Sequence, residues 1–161
     1  MPPESKASYR FGDLLALARL NWVRQMASGL AAMGYDDYRR SDAAVMRLLQ
    51  REPRSIGRLG EATGVTRQAA RKIADGLERR GFATTSRDES DSRQINVLLT
   101  DQGASYANAI VAVIERLNRE LCARVDPDDL AGADRVLRAI VADGHGHQSA
   151  EQLPPPAADL R

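Results

Sequence analysis

The sequence predicts a mostly α-helical α+β domain with one small β-hairpin. Three observations predict it. Apolar residues recur at helical spacing along most of the chain, while one short stretch, Ile95-Asn96-Val97-Leu98-Leu99, follows a mostly two-residue period. Hydrophobic residues make up 43% of the chain but aromatic residues only 4%, so the core must be Leu, Val, Ile and Ala. Such a core suits helix packing better than a β-sandwich. The length, 161 residues, is that of one domain of ordinary size.

Taken in order, residues 1–7 read as disordered and a single domain is expected over 8–143. A long helix is expected over 8–33, with Phe11, Leu14, Leu15, Ala18, Trp22, Met26, Leu30 and Met33 in one apolar stripe. At about 1.5 Å per residue it would be nearly 40 Å long. Two readings of the stripe are open: a core helix of its own subunit, or a helix that also meets a second subunit. Gly34 and Tyr35-Asp36-Asp37 break it. A second helix follows from Asp42 to Arg51, with Ala44, Val45, Leu48 and Leu49 inward, and Pro53 stops it.

Ile56, Leu59 and Ala62 have helical spacing, and Gly64 ends that short element. Thr66 then offers a hydroxyl to the free N–H groups of a longer helix that closes at Gly81. A short helix, a tight glycine turn and a longer helix form the helix-turn-helix pattern, expected over 55–81. The longer helix places Ala69, Ala70, Ile73, Gly76 and Leu77 on one side. Its polar side is graded: Arg67, Gln68, Arg71 and Lys72 come first, and the acids Asp75 and Glu78 follow. A helix entering a DNA major groove by its N-terminal half needs that order, because donors and cations meet bases and phosphates. A solvated face with pairs such as Arg71–Asp75 is the plain alternative for the helix alone.

The next segment, 82–100, reads as a hairpin. The Thr-rich run 82–86 pairs with the strand around Val97, and the run from Arg87 to Arg93 between them has no apolar residue. Asp91 and Arg93 can pair at its tip, and an arginine there can enter the narrower minor groove. Thr100 caps a helix expected to reach about Ala123, with Ala107, Ile110, Val111, Ile114, Leu117, Leu121 and Val125 in one stripe. Asp126-Pro127-Asp128-Asp129 starts a last helix with a cap, a first-turn proline and first-turn acids. It is expected to reach Asp143 with Leu130, Ala133, Leu137, Ile140 and Val141 inward. Residues 144–161, with Pro154-Pro155-Pro156, read as a flexible tail.

Over 55–103 the chain resembles the winged helix-turn-helix of the MarR family of bacterial transcription regulators. The residues that carry the resemblance are Leu59, Gly64-Val65-Thr66, Leu77-Glu78-Arg79-Arg80-Gly81-Phe82, Asp91-x-Arg93 and Val97-x-Leu99-Thr100-x-x-Gly103. The last two make up the wing signature. The resemblance implies a homodimer bound to a pseudo-palindromic operator, relieved in many members by a small anionic or phenolic ligand or by oxidation. It implies recognition-helix positions at Thr66, Arg67, Gln68, Arg71 and Lys72, and a wing arginine at Arg93. Helices 8–33 and 101–143 would then be the dimerisation helices. A reading module of this size does not need three extra apolar helices, whereas a two-fold dimer holding two recognition helices roughly 34 Å apart does.

On this reading Arg71 and Gln68 contact bases, guanine and adenine respectively, each worth roughly 1–3 kcal/mol of discrimination. Thr66, Arg67 and Lys72 mainly hold phosphates, Arg87 sits at the wing, and Arg93 reads the minor groove oriented by Asp91. The expected function is a sequence-specific, double-stranded-DNA-binding regulator, a ligand-responsive repressor acting as a homodimer. A winged-helix module for protein contact, with no operator, is the alternative.

Net charge is +1, so the case rests on charge distribution: arginines cluster over 51–93, and acids cluster late at Asp126, Asp128, Asp129 and Asp134. A single cysteine, Cys122, rules out an intrachain disulfide and fits a reducing cytoplasm. By spacing it lies at the edge of an apolar stripe, and a small packed side chain is favoured over a reactive thiol. The first ten residues read as neither signal peptide nor membrane span. No Ser/His/Asp set is present, since the only histidines are His145 and His147, and no enzyme activity, cofactor or metal is expected. Gly57 and Gly60 lack the Lys-Ser/Thr of a phosphate loop. An inducer is expected without an identifiable pocket, because Trp22, Met26, Tyr38 and Met46 serve equally well as core.

Overall fold

The computed structural model describes residues 11–87 and 94–143. In chain order it contains α1 (Phe11–Ala31), α2 (Asp42–Arg51), β1 (Arg54–Ser55), α3 (Ile56–Thr63), α4 (Arg67–Arg79), β2 (Ala83–Arg87), β3 (Ile95–Leu99), α5 (Asp101–Cys122) and α6 (Pro127–Asp143). The expected mostly helical α+β architecture is present, with a three-stranded antiparallel sheet of order β1-β3-β2. The expected disorder over 1–7, the tail over 144–161 and the hairpin tip at Asp91 and Arg93 lie outside the described residues.

Three of the expected helix boundaries have a physical cause in the structure. Gly81 adopts φ +76°, and the Phe82 N–H returns to the Leu77 carbonyl at 2.9 Å, closing α4. Thr100 Oγ1 accepts from the Gly103 N–H at 3.0 Å, so α5 begins where its cap predicts. Asp126 Oδ1 accepts from the Asp128 N–H at 2.8 Å ahead of α6.

Strand β1 was not expected. Arg54 pairs with Val97 and Ser55 with Asn96, on the free side of β3. Two residues carry no readable period. They are extended because Pro53 prevents α2 from continuing and Ser55 is the cap of α3, its Oγ accepting from the Arg58 N–H at 3.3 Å. Ser55 thus belongs to the sheet as well as to the helix-turn-helix.

The core is formed by Met26, Leu30, Val45, Met46, Leu49, Leu59, Leu77, Val97, Tyr106 and Ile110. It lies where α2, α3 and β3 meet α5 and the end of α1. Several inward assignments require correction. Ala44 is exposed, because the buried face of α2 is Asp42, Val45, Met46, Leu48 and Leu49. In α4, Ala74 joins Ala70, Gly76 and Leu77 in the core, Ile73 packs against it partly buried, and Ala69 is only half-buried. In α5 the buried face also runs through Tyr106, Ala109 and Val113, with Ile114 packed partly buried against the core; Val111 is half-buried, as is Val125 beyond the helix end.

The larger correction concerns the chain's ends. Of the α1 stripe only Met26 and Leu30 are buried; Phe11, Leu14 and Met33 are exposed, Leu14 by 62%. Over residues 127–142 of α6 none is buried, and Leu137, Ile140 and Val141 are exposed. Leu121 and Cys122, at the end of α5, are exposed as well, so the expected packing of the cysteine is not observed.

Candidate nucleic-acid interface

The first turn of α4 is built by local chemistry. Thr66 has the extended backbone of a cap (φ −63°, ψ 154°), and its Oγ1 accepts from the Ala69 N–H at 3.2 Å. Gly64 supplies the left-handed residue (φ +67°) that closes α3. Gly60 lets the turn fold back closely: a Cβ there would stand 3.0 Å from the Val65 carbonyl oxygen and 3.6 Å from the Ala70 Cβ. The two helices therefore cross with little side chain between them.

This packing turns the other face of α4 to solvent. Thr66, Arg67, Gln68, Arg71 and Lys72 are all exposed. Arg67, Gln68 and Arg71 share a shallow groove with Ile56 and Ile95, so the donors of the helix face the start of β3, at the tip end of the paired strands. Arg87 is exposed at the end of β2, opposite Ile95 in the register. The structure thus brings three of the expected positions, Arg67, Gln68 and Arg71, around one depression bounded by Ile95, and places Arg87 on the strand paired with that residue. Lys72 and Thr66 belong to the same helix start. Asp91 and Arg93 lie outside the described residues.

Both acids of α4 are engaged by neighbouring side chains. Arg71 Nε donates to Asp75 Oδ1 at 2.8 Å along the helix. Glu78 Oε1 accepts from both the Thr85 N–H (3.2 Å) and the Thr85 hydroxyl (3.1 Å), tying β2 to the helix. At the hairpin's other root, Thr100 Oγ1 donates to the Gly81 carbonyl at 2.6 Å. Helix and hairpin are therefore fastened to each other at two places.

A third fastening was not anticipated. Asp42 is fully buried. Its Oδ2 accepts from Arg80 Nη1 (2.8 Å), the Tyr106 hydroxyl (2.8 Å) and the Arg39 N–H (3.0 Å), and its Oδ1 from Arg80 Nη2 (3.0 Å). Arg80 also lies over the Phe82 ring, which stacks on Tyr106 with centroids 4.2 Å apart. Burial, then the charge and hydrogen bond of Asp42, raise the Tyr106 phenol well above its ordinary range. Burial and Asp42 also raise Tyr38. For Arg80 burial pulls downward, but the hydrogen bond and charge of Asp42, with Tyr106 and Asp37, outweigh it and leave the guanidinium raised. Tyr106 therefore stays a neutral donor and Arg80 a cation throughout the physiological range. Reading Asp42 only as a helix start hid this cluster. The signal was present: Asp42, Val45, Met46 and Leu49 share one helical face, so the acid falls at an inward position.

The chemistry available here is hydrogen-bond donation and positive charge on a convex helix face beside a hairpin, which fits the phosphates and base edges of a duplex groove. Among the described residues no group of three or more His, Cys, Asp or Glu could hold a metal ion. No described helix is long and apolar enough to cross a membrane.

Comparison with known proteins gives the same outline. Residues 37–94 match a family model described as the MarR family. No curated protein matches the sequence. Among solved structures, the chain is similar to Staphylococcus aureus MepR in its complex with DNA, with a TM-score of 0.74 and 14% identity over 84% of this chain and 98% of that one. It is similar to a mutant Escherichia coli MarR complexed with operator DNA (TM-score 0.70, 19% identity, 80% and 91% of the two chains). It is also similar to the Streptomyces coelicolor regulator PcaV in complex with its natural ligand (TM-score 0.71, 22% identity, 84% and 94%).

Proposed function

We propose that this chain is a winged helix-turn-helix DNA-binding transcriptional regulator of the MarR family, and that it works as a homodimeric repressor that reads a two-fold-related pair of half-sites and is released by a small molecule. The observation that carries the reading is the exposed first half of α4. Its cap is formed, its apolar side is packed on α3, and Arg67, Gln68, Arg71 and Lys72 are presented together. In this reading Arg71 and Gln68 face base edges, Thr66, Arg67 and Lys72 face phosphates, and the hairpin with Arg87, Asp91 and Arg93 follows the neighbouring minor groove.

The homodimer is supported by what a single chain leaves uncovered. Phe11, Leu14, Leu17 and Leu20 on α1, Leu121 on α5 and Val136, Leu137, Ile140 and Val141 on α6 are exposed large apolar side chains on the helices at the two ends of the chain. Burying one such side chain fully is worth roughly 1.5–3 kcal/mol, so a second copy covering several of them meets the requirement of a stable pair. The expected dimerisation helices over 8–33 and 101–143 correspond to α1, α5 and α6. Ligand release is supported by likeness to a regulator whose structure holds its natural ligand.

The test begins with genomic fragments retained by the purified full chain, sequenced and then titrated against a random duplex in gel-shift assays. The reading expects a two-fold-symmetric motif, two chains per duplex, and an affinity for the motif at least a hundredfold above random sequence. Retention without any shared motif would instead favour a module for protein contact.

A further inference from the structure

We infer that Arg80, through Asp42 and Tyr106, is a positioning residue that sets the angle at which α4 is presented to DNA, and so the half-site spacing the dimer accepts. The inference rests on the DNA-reading function proposed above and extends it to residues that touch no DNA.

Three parts of the fold converge on one guanidinium. Arg80 is the C-terminal cap of α4, and its Nε returns to the Gly76 carbonyl of that helix at 3.1 Å. Nη1 reaches the Asp37 carbonyl, in the connection between α1 and α2, at 2.8 Å. Nη1 and Nη2 grip the two oxygens of Asp42, the first residue of α2. Asp42 in turn takes the hydroxyl of Tyr106, on α5. Apart from this cluster, α4 packs mainly on α3 and β2. The cluster therefore joins the end of the recognition helix to α5, one of the helices proposed to carry the dimer.

The choice of chemistry points to geometry. A buried ion pair contributes little net stability, because removing two charges from water offsets most of their attraction, and apolar replacements are often as stable. A forked guanidinium–carboxylate contact is directional in a way an apolar contact is not. The lever arm gives that direction a consequence. From Arg79 to Arg67 α4 rises about 18 Å, at about 1.5 Å per residue, so a tilt of about 10° at its end moves the DNA-facing start by roughly 3 Å. That shift is as large as a hydrogen bond is long.

Two substitutions separate positioning from simple support. Arg80→Lys keeps the charge but removes the fork, and Tyr106→Phe keeps the ring stacked on Phe82 but removes the hydroxyl. Each full-length variant, shown by circular dichroism to be folded at the assay temperature, is titrated against the retained operator, the same operator with one or two base pairs added or removed between half-sites, and a random duplex. The expected result is a loss of about tenfold on the operator, a flattened penalty for altered spacing, and random-duplex binding within about twofold of the parent chain. Variants that keep the parent's spacing profile, whatever happens to their melting temperature, would overturn the inference. If Arg80→Lys does not fold, Tyr106→Phe decides alone. A parent chain that shows no preference for any sequence overturns the DNA-reading premise, and the inference with it; that outcome is visible before any variant is made.

Discussion

Arg71 and Asp75 are joined on the outer face of α4, Nε to Oδ1 at 2.8 Å, with the arginine side chain 45% and the aspartate 36% exposed. The residue assigned to guanine is therefore held along its helix in the absence of DNA. An exposed pair of this kind contributes only about 0.3–0.5 kcal/mol, so a phosphate or base edge can take the guanidinium from it. Replacing Asp75 by Asn removes a negative charge near the phosphates as well as the competitor. The expected outcome is binding to random duplex two- to fivefold tighter at low salt, read by gel shift. Weaker binding would mean that Asp75 orients Arg71 for reading.

The uncovered faces of α1 and α6 yield a second prediction. Ile140 is exposed in the single chain, so Ile140→Asp costs the isolated subunit little. It places a charge in the proposed dimer face. Light scattering coupled to size exclusion should show a folded monomer, and operator affinity should fall at least tenfold. A variant that remains dimeric with parental affinity would place the dimer contact elsewhere.

Glycines at two helical positions should respond with opposite signs. A Cβ on Gly103 would collide with the carbonyl of Phe82, a backbone group that cannot yield. Gly103→Ala should destabilise by about 2–3 kcal/mol in urea denaturation. A Cβ on Gly57, in α3, meets nothing within 4 Å. Gly57→Ala should stabilise by about 0.5–1 kcal/mol through helix propensity. Equal effects at the two sites would contradict the packing described between α5 and Phe82.

Much of this was legible beforehand, and the reasons are specific. Thr66, Gly81, Thr100 and Pro127 each act within a few residues of themselves, so caps and stops place most helix boundaries correctly. The graded polarity of α4 is likewise local. What was not legible depends on distance or on a partner. The cluster of Asp42, Arg80 and Tyr106 joins residues far apart in sequence. Strand β1 exists only because β3 has a free edge. The stripes of α1 and α6 mark apolar faces correctly, but periodicity cannot say whether the covering surface comes from the same chain, and Cys122 was misassigned for that reason.

High pH should expose the buried cluster. The phenols of Tyr106 and Tyr38 are both raised above their ordinary value of 10.0, by burial first and then by Asp42. Below pH 10.0 they are neutral folded or unfolded, and their contribution to stability is fully present. Above pH 10.0 the unfolded chain ionises them while the folded chain holds them neutral, so that contribution is lost as pH rises toward the folded values. Urea midpoints should therefore fall beyond about pH 10, and Tyr106→Phe should show a shallower fall. An unchanged slope in that variant would contradict the coupling of Tyr106 to Asp42.

The most direct test compares Arg71→Ala with Lys72→Ala, neighbours on one exposed helix face with different proposed roles. Each is titrated against operator and random duplex over a range of salt. Arg71→Ala is expected to lower the operator-to-random ratio by about ten- to a hundredfold, corresponding to roughly 1–3 kcal/mol, with random binding much less affected. Lys72→Ala is expected to weaken both duplexes alike and to reduce the salt slope by about one. Equal losses on operator and random duplex in both variants would contradict the claim that the first half of α4 reads sequence.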